Sequence, residues 1–490
     1  MSRLAVINVV GLTEALIGEH TPQIAAFRQR GALARIAPAF PAVTCAAQSN
    51  YLTGRPPVAH GIVGNGWYDR DLAEIHFWKQ SNHLVESPKI WDRLRGADRA
   101  PRLTTANCFW WFNMYSSVDY SITPRPIYRA DGGKIFDIYS WPAAIRTDIK
   151  KDLGEFPFHG FWGPAAGVKT PQGGADCATR WIAASAKWIE NKFSPALNLV
   201  YLPHLDYNLQ RYGPCSVADS QSKSEPSHAG RSPINPRIIP DLAAIDDIVG
   251  DLVRFFEGRE VRVVLLSEYG ITNVDTPVHL NRLFRERGWL TVRDELGTEL
   301  LDAGASRVFA VADHQVAHIY LNDSSLEGPV RALLEATPGV AEVLGTAEKS
   351  AAGIAHPRAG NLIAVAAANA WFSYYYWLDD RRAPDFARTV DIHRKPGYDP
   401  VELFLDPKIA APKLKIARRL LQKKLGFRML MDVIPLDATL VRGSHGRRPA
   451  DTRDWPVIIT GQPGLLAADQ IESTDVFQAL ANFLATDGHR

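Results

Sequence analysis

The sequence predicts an α/β fold whose central sheet is mostly parallel and flanked by helices. Continuous apolar runs at residues 4–10, Leu197–Leu202 and Val261–Leu266 are typical of strands that are buried on both faces. Residues 175–193 and 239–256 carry apolar side chains at helical spacing. Strands that alternate with helices in this way indicate parallel strands joined by helical crossovers.

Four polar residues stand at or just after the ends of predicted strands. They are Asn8, Thr44, Asp206 and Glu268. Ligands of open α/β sheets bind beyond the carboxyl ends of the strands. We therefore expect these four side chains to converge on one site, although they are far apart in the chain.

Thr44 follows a second extended run, residues 33–40, and begins a predicted short helix. A hydroxyl group at that position meets unpaired backbone N–H groups and the positive end of the helix dipole, so it is well placed to hold or attack a phosphate. A threonine that only caps the helix explains the same position. Taken alone, this stretch favours the cap, and the later segments change that preference.

The composition is that of a globular protein, with 46% hydrophobic and 22% charged residues among 490. A net charge of +2 argues against a nucleic-acid or membrane partner recruited by bulk electrostatics. Because no run of about 18 apolar residues occurs, we expect no membrane span. The four cysteines lack metal-binding spacing and are typical of reduced thiols, so we expect a cytoplasmic protein. The sequence leaves the oligomeric state open.

The predicted elements become shorter after Thr272, where short strands and short helices replace the longer ones. We interpret residues 276–385 as an inserted α+β cap subdomain that covers the site. The α/β core then comprises residues 1–275 and 386–490. A polar loop at residues 216–235, rich in serine and proline, is predicted to be an exposed excursion.

Two further pairs of positions and one histidine can carry chemistry. Asp206 and Gln210 are four residues apart, so on a helix they share a face and can serve as two ligands of one ion. Glu268 and Tyr269 follow a predicted strand together. His445 lies in a Gly-Ser-His-Gly run, whose backbone is free enough to point an imidazole into a site.

These segments resemble the type I phosphodiesterase/nucleotide pyrophosphatase family of the alkaline phosphatase superfamily. The resemblance rests on TCAAQSNYLTGRPPVAHGIVGN, which begins at Thr44, and on YLPHLDYNLQRYGP, VVLLSEYGIT, RGSHG and IESTDVFQALANFL, in that order. The matches extend over most of the chain. Residues 276–390 correspond to the family's cap insertion.

The resemblance implies an alkaline-phosphatase-like core and hydrolysis of a phosphate ester, phosphodiester or phosphonate. Members of the family usually bind two divalent metals, commonly zinc, and form an intermediate on a threonine or serine. The substrate is then a small phosphorylated molecule, the nucleophile is Thr44, and the cofactor is zinc, manganese or magnesium. The metal ligands that the family's pattern marks in this chain are Asp206, Gln210, Glu268, His445, Asn8 and Thr44.

The chain departs from the family's pattern at several of these positions. The metal-binding aspartate at the end of the first strand is missing, and Asn8 is the nearest candidate. Gln210 stands where the family has a histidine, and Glu268 and Tyr269 replace an Asp-His pair. Ala47 replaces an asparagine that helps to hold the oxyanion. Amides are poor zinc ligands, so these changes argue against a zinc pair of the usual strength.

Three functions fit this altered pattern. The first is a hydrolase that uses Thr44 with a harder ion such as Mg²⁺ or Mn²⁺. The second is an enzyme of the same fold with metal-independent or non-hydrolytic chemistry, and the third is a catalytically silent protein that keeps the ligand pocket. The candidates for substrate binding or acid–base chemistry are Tyr269, His204, His393 and Arg442.

Three more histidines lie in or near the predicted cap. His318 falls within a predicted strand and is expected to be structural. His314 stands at a strand junction, where it can face the cleft between cap and core. His393 lies where the cap returns to the core, and we rank it first among the three as a candidate for the site.

Overall fold

The computed structural model describes residues 3–94, 103–130, 133–216, 233–466 and 468–485. Most of the loop predicted at residues 216–235 lies outside the described residues. Elements are numbered below in chain order.

The strands belong to one large sheet and six smaller ones. They are β1 (Arg3–Val9), β2 (Ala32–Ala37), β3 (Gly66–Asp69), β4 (Glu74–Phe77), β5 (Thr105–Cys108), β6 (Tyr120–Pro124), β7 (Ile127–Tyr128), β8 (Lys134–Ile135), β9 (Ile138–Trp141), β10 (Leu197–Leu202), β11 (Val261–Leu266), β12 (Thr272–Asn273), β13 (Thr276–Val278), β14 (Val292–Glu295), β15 (Thr298–Leu301), β16 (Val308–Asp313), β17 (Val316–Leu321), β18 (Val340–Leu344), β19 (Leu362–Ala366), β20 (Ala370–Phe372), β21 (Gly443–Ser444), β22 (Val457–Thr460) and β23 (Gln470–Glu472).

The α-helices connect and flank these strands. They are α1 (Pro22–Gln29), α2 (Thr44–Thr53), α3 (Pro57–His60), α4 (Ile90–Leu94), α5 (Ala144–Leu153), α6 (Cys177–Phe193), α7 (His204–Tyr212), α8 (Ile239–Glu257), α9 (Leu280–Glu286), α10 (Glu327–Glu335), α11 (Thr346–Ala351), α12 (Pro412–Lys424) and α13 (Val476–Ala485). Among the described residues, no helix combines the length and the apolar character that crossing a membrane requires.

The large sheet has nine strands in the order β23-β2-β22-β11-β1-β10-β5-β6-β9. The neighbours of β1 in this order, β10 and β11, both run parallel to it. Antiparallel pairing occurs only where β22 and β9 join the described part of the sheet. The predicted α/β class with a mostly parallel sheet is therefore confirmed. As their apolar runs predict, β1, β10 and β11 are buried, apart from Arg3 and Arg262.

Two predicted elements differ from the structure. The sequence predicts a helix at residues 85–95, but α4 begins only at Ile90, because Pro88 disfavours helical backbone in the residue before it. The sequence also predicts a strand at residues 371–377, but β20 ends at Phe372. The aromatic rings that follow it pack into the core without a strand partner among the described residues, so burial alone explains their pattern.

A second hydrophobic core forms beside the large sheet. It is built around the four-stranded antiparallel sheet β16-β17-β19-β18 and includes Tyr68 and Phe77 from the β3–β4 hairpin. Buried residues of this core continue along the chain to Val441. The predicted cap at residues 276–385 falls within this core, and its boundaries stay a prediction.

His318 of β17 ties the second core to the segment that follows α3. Its Nε2–H donates to the carbonyl of Val63 at 3.0 Å, and its Nδ1 accepts from the Gly360 N–H at 3.1 Å. Both ring nitrogens are thus used by the neutral imidazole. Burial lowers the pKa of His318 to about 4. His318 is structural, as the sequence predicts.

Lowering the pH should destabilise the protein through His318, because a second ring proton would face the Gly360 N–H. The folded-state pKa lies below the unfolded value, so this contribution is complete above about pH 6.5 and is lost as the pH falls towards 4. We expect His318→Gln to remove about 2–3 kcal/mol from the difference in unfolding free energy between about pH 7.5 and about pH 4.5. Urea unfolding measures it. The exposed His83→Gln is the control, and an equal effect of both variants would contradict the assignment.

Candidate functional site

The polar residues predicted to converge do meet at one edge of the large sheet. Asn8 lies near the end of β1, Glu268 follows β11, and Asp206 lies in the first turn of α7 after β10. Thr44 is the first residue of α2, as predicted. Since β1, β10 and β11 are parallel neighbours, their carboxyl ends bring these side chains together.

Asn65 fixes the start of α2. Its side-chain oxygen accepts from the Cys45 N–H at 3.0 Å, and so satisfies one of the N–H groups that a helix N-terminus leaves unpaired. Its backbone N–H and its amide group both donate to Asp313 at the end of β16, at 2.8 and 3.1 Å. The position of Thr44 is therefore set jointly by α2 and by the second core.

Glu268 is held by two amides. Its Oε1 accepts from Asn8 Nδ2 at 2.5 Å and from the amide nitrogen of Gln48. Among the described residues, Glu268 Oε2 and Asn8 Oδ1 are buried without a hydrogen-bond partner. Asn8 and Glu268 thus contact each other and, within the described ranges, still leave one side-chain oxygen each without a partner. Thr44 also contacts Glu268, so these two oxygens lie beside it.

Tyr269 links Thr44 to Asp206. The Tyr269 hydroxyl lies 3.4 Å from Thr44 Oγ1 and donates to Asp206 Oδ1 at 3.1 Å. The other carboxylate oxygen of Asp206 accepts from Gln210 Nε2 at 2.7 Å. Gln210 in turn exchanges hydrogen bonds with the Tyr398 hydroxyl, at 2.9 and 3.0 Å. Both oxygens of Asp206 are therefore already engaged.

Four aromatic rings form a continuous stack beside these residues, which we call the ring column. Tyr269 lies on His445 with ring centroids 3.6 Å apart and planes 5° from parallel. His445 lies 3.7 Å from His314, and His314 lies 3.6 Å from Tyr398. The ring column joins the core strand ends, the β16–β17 turn and the segment that returns from the second core.

Each histidine of the ring column has one ring nitrogen assigned by its partner. His445 Nδ1 lies 2.8 Å from the Ala42 carbonyl, and His314 Nδ1 lies 2.8 Å from Asp313 Oδ1. Because both partners accept, each Nδ1 carries the proton and each Nε2 keeps a lone pair. Neither Nε2 has a hydrogen-bond partner among the described residues.

Burial dominates the electrostatics of the site. It raises the pKa of Asp206 to about 7, against the hydrogen bonds from Tyr269 and Gln210. It raises the pKa of Glu268 to about 8, against those from Gln48 and Asn8. Burial also holds the pKa values of His314 and His445 well below their usual range. The site therefore favours neutral side chains near pH 7, and in the described part of the chain the causes of these shifts include no positive charge that stabilises Asp206 or Glu268.

The site is closed to solvent. Thr44 is 3% exposed and Asp206 is 7% exposed, while Glu268 is fully buried. A substrate can reach Thr44 only if the side chains that cover it move.

The other predicted site residues lie apart from these contacts. His204 Nε2 is 2.9 Å from Asp241, and His393 Nδ1 is 3.3 Å from the Phe77 carbonyl. The side chain of Arg442 is exposed. His314 belongs to the ring column, whereas His393, which the sequence ranks above it, lies outside the ring column.

Four residues in contact with the site are not among those that the sequence predicts for it. Gln48 is detectable, since it lies one helical turn after Thr44 and so shares its face. Asn65 belongs to the HGIVGN run, but its partners are not local. Asp313 and Tyr398 reach the site from distant segments, and no sequence signal marks them.

Among the described residues, no group of three or more His, Cys, Asp or Glu side chains is placed to hold a metal ion. The donors at the site are amides, hydroxyls, two separated carboxyls and the Nε2 atoms of His314 and His445.

The α/β core, the threonine at the helix start and the acids at the strand ends define a protein of the alkaline phosphatase superfamily. The chain belongs to the type I phosphodiesterase/nucleotide pyrophosphatase family, whose sequence model matches residues 4–399. No curated protein sequence matches it significantly.

Solved structures share this fold at low sequence identity. An inactive variant of murine ectonucleotide pyrophosphatase/phosphodiesterase 5 in complex with AMP is 13% identical, with a TM-score of 0.55, and the match covers 100% of this chain and 96% of that one. Phosphonoacetate hydrolase from Sinorhizobium meliloti in complex with phosphonoformate is 14% identical, with a TM-score of 0.57 and coverage of 99% and 96%. The human ectonucleotide pyrophosphatase/phosphodiesterase 5 is 14% identical, with a TM-score of 0.57 and coverage of 100% and 96%. At these identities the likeness shows a common fold.

Removing the Asn65 side chain should destabilise the protein, because it leaves the buried Cys45 N–H without its acceptor and removes one of the hydrogen bonds that the Asp313 carboxylate accepts. We expect Asn65→Ala to lower the unfolding free energy by about 3 kcal/mol. Urea unfolding measures the loss. Asn191→Ala, at an exposed asparagine, should change it by no more than about 0.5 kcal/mol. A loss at position 65 as small as that of the control would show that Asn65 does not fix the helix start.

Proposed function

We propose that this protein hydrolyses a phosphate ester, phosphodiester or phosphonate of a small molecule, with Thr44 as the nucleophile. The observation that carries the proposal is the hydrogen-bonded series from Thr44 through Tyr269 to Asp206, at the start of α2. Family membership supports the reaction class. The ligands named for two relatives of the same fold, AMP and phosphonoformate, support a small phosphorylated substrate.

Tyr269 and Asp206 supply the path for the nucleophile's proton. As Thr44 Oγ1 forms its bond to phosphorus, its proton passes to the Tyr269 oxygen, and the Tyr269 proton passes to Asp206 Oδ1. The bond from phosphorus to the alcohol or carbon leaving group breaks in the same step, and the leaving group takes up the proton that Asp206 has received, through water. A second water molecule then hydrolyses the phosphorylated threonine, and one of its protons restores the Thr44 hydroxyl.

A pair of zinc ions does not fit these residues. Gln210 is an amide whose nitrogen donates to Asp206, and the Tyr269 hydroxyl donates to the other oxygen of the same carboxylate. Zinc prefers imidazole, thiolate and carboxylate ligands. The predicted ligands Asp206, Gln210 and His445 therefore serve better as hydrogen-bonding and stacking groups than as a zinc centre.

A single hard divalent ion fits the opposite end of the site. Glu268 Oε2 and Asn8 Oδ1 are buried oxygens without partners among the described residues, and Thr44 adds a hydroxyl oxygen. Mg²⁺ and Mn²⁺ prefer such oxygen donors, and a cation there supplies the positive charge that the buried Glu268 lacks. When bound, the ion lowers the pKa of a coordinated hydroxyl and neutralises charge on the phosphoryl oxygens.

Removing the Thr44 hydroxyl should abolish turnover. We expect Thr44→Ala to lower kcat for an aryl phosphodiester by about a thousandfold or more, because the variant cannot form the covalent intermediate. A steady-state assay measures it. Thr44→Ser keeps the hydroxyl and should keep most of the activity.

Tyr269→Phe is the matched variant for the proton path. It preserves the ring that stacks on His445 but removes the hydroxyl, so kcat should fall by about a hundredfold or more with little loss of thermal stability.

Full activity in Thr44→Ala would show that Thr44 is not the nucleophile. No turnover in the unmutated protein with any metal, together with thermal stabilisation by a phosphorylated ligand, would instead support a silent binding protein.

Metal removal tests the single-ion site. We expect chelator-treated protein to regain activity with Mg²⁺ or Mn²⁺ and to bind at most one of these ions per chain, with binding weakened about tenfold or more in Glu268→Gln. Elemental analysis and calorimetric titration measure this. Two tightly held zinc ions per chain would contradict the assignment of ligands.

A further inference from the structure

Residues 407–431 form the most basic segment of the chain. They contain eight lysines and arginines and no aspartate or glutamate, although the whole chain has a net charge of only +2. The centre of the segment is α12, which has no fully buried residue. The net charge of the whole chain therefore does not reveal the positive charge of this segment.

One face of α12 is attached to the protein. Ile416 packs against the second core, and Lys415 and Arg419 form ion pairs with Asp432 at 3.0 and 2.9 Å. These contacts fix which side of the helix points outwards, since residues three and four apart share a face.

The outward face carries leucines. Leu414, Leu421 and Leu425 are 71%, 56% and 64% exposed, and they lie on one stripe at helical spacing. Phe427, just beyond the helix, is 67% exposed. Exposed apolar side chains that form a continuous stripe mark an interaction surface more strongly than single ones do.

Cations border this stripe. Exposed lysines and arginines flank the leucines on the helix and continue past its end: Lys413, Arg418, Lys424 and Arg428. Long basic side chains place their methylene groups along apolar material and their charges in a polar layer. A partner must therefore present an apolar interior beneath an anionic surface.

Two other partners fit this surface less well. In a second copy of the chain, the same cations would face one another, and thirteen residues are short of the three to four heptads that a coiled coil needs. A nucleic acid would neutralise the cations but leave Leu414 and Leu421 against phosphate groups. An anionic phospholipid bilayer satisfies both features, as it does for helices that lie in the plane of the interface.

We propose that α12 and the residues up to Arg428 bind the surface of an anionic phospholipid membrane, with Leu414, Leu421, Leu425 and Phe427 inserted among the lipids. The cations named above contact the lipid phosphates. The surface is independent of the Thr44 site, so the proposal does not rest on the reaction.

The test is sedimentation of the full-length protein with vesicles of phosphatidylcholine alone or mixed with phosphatidylglycerol. We expect binding to the mixed vesicles that weakens as salt is added, and little binding to phosphatidylcholine alone. Leu421→Asp should weaken binding about tenfold or more, and Lys424→Gln about fivefold. The controls are Leu72→Asp and Lys169→Gln, at exposed positions elsewhere, which should bind normally.

Thermal melting checks that each variant is folded, which the exposure of these side chains leads us to expect. Failure of the unmutated protein to sediment with the mixed vesicles at low salt would overturn the proposal. So would equal binding by Leu421→Asp and the unmutated protein. A dimer in analytical ultracentrifugation that Leu421→Asp dissociates, without vesicle binding, would assign the surface to a second copy instead.

Discussion

The arrangement of the site depends on one buried asparagine. Asn65 accepts from the first turn of α2 and donates twice to Asp313, so one side chain and its own backbone connect the nucleophile helix with the second core. Each bond is made away from water, where an unpaired group costs free energy. Thr44 is consequently placed by contacts between two cores and not by its own helix alone.

The contact between the two cores also explains why the ionisable groups of the site favour their uncharged forms. The large sheet contributes Glu268 and Asp206, while the second core and its return segment contribute His314 and Tyr398. Packing these groups together removes water from all of them and favours their uncharged forms. In the proposed function, a phosphorylated ligand would carry its own negative charge into this space. The resemblance implies that two dications meet that need, whereas the oxygens of Glu268 and Asn8 that lack partners among the described residues would suit a single ion.

The elements that are most local in sequence were predictable. β10 and β11 have the predicted bounds because buried parallel strands are short apolar runs, and α2 begins at Thr44 as its neighbours indicate. Residues 371–377 were less predictable, because a dense aromatic run is compatible with a strand and with irregular packing.

The composition of the site was partly predictable for the same reason. Strand ends mark Asn8, Asp206 and Glu268, but a pattern does not reveal which partner a side chain selects. Asp206 and Gln210, which the sequence pairs as ligands of one ion, are instead joined to each other by the hydrogen bond that Gln210 donates. Asp313 lies more than 240 residues from Asn65 in the chain, so only the folded structure connects them.

Contacts within the ring column make substitutions at its four positions depend on one another. Each ring of the column contacts the next one in space, in the order Tyr269, His445, His314 and Tyr398. A substitution at one of them therefore changes the space and the polarity that its neighbour meets. Residues in direct contact have non-additive effects. Replacing Tyr269 by histidine, the residue that the resemblance implies at this position, would therefore place a smaller ring against a stack shaped for tyrosine, and its effect depends on the other three rings.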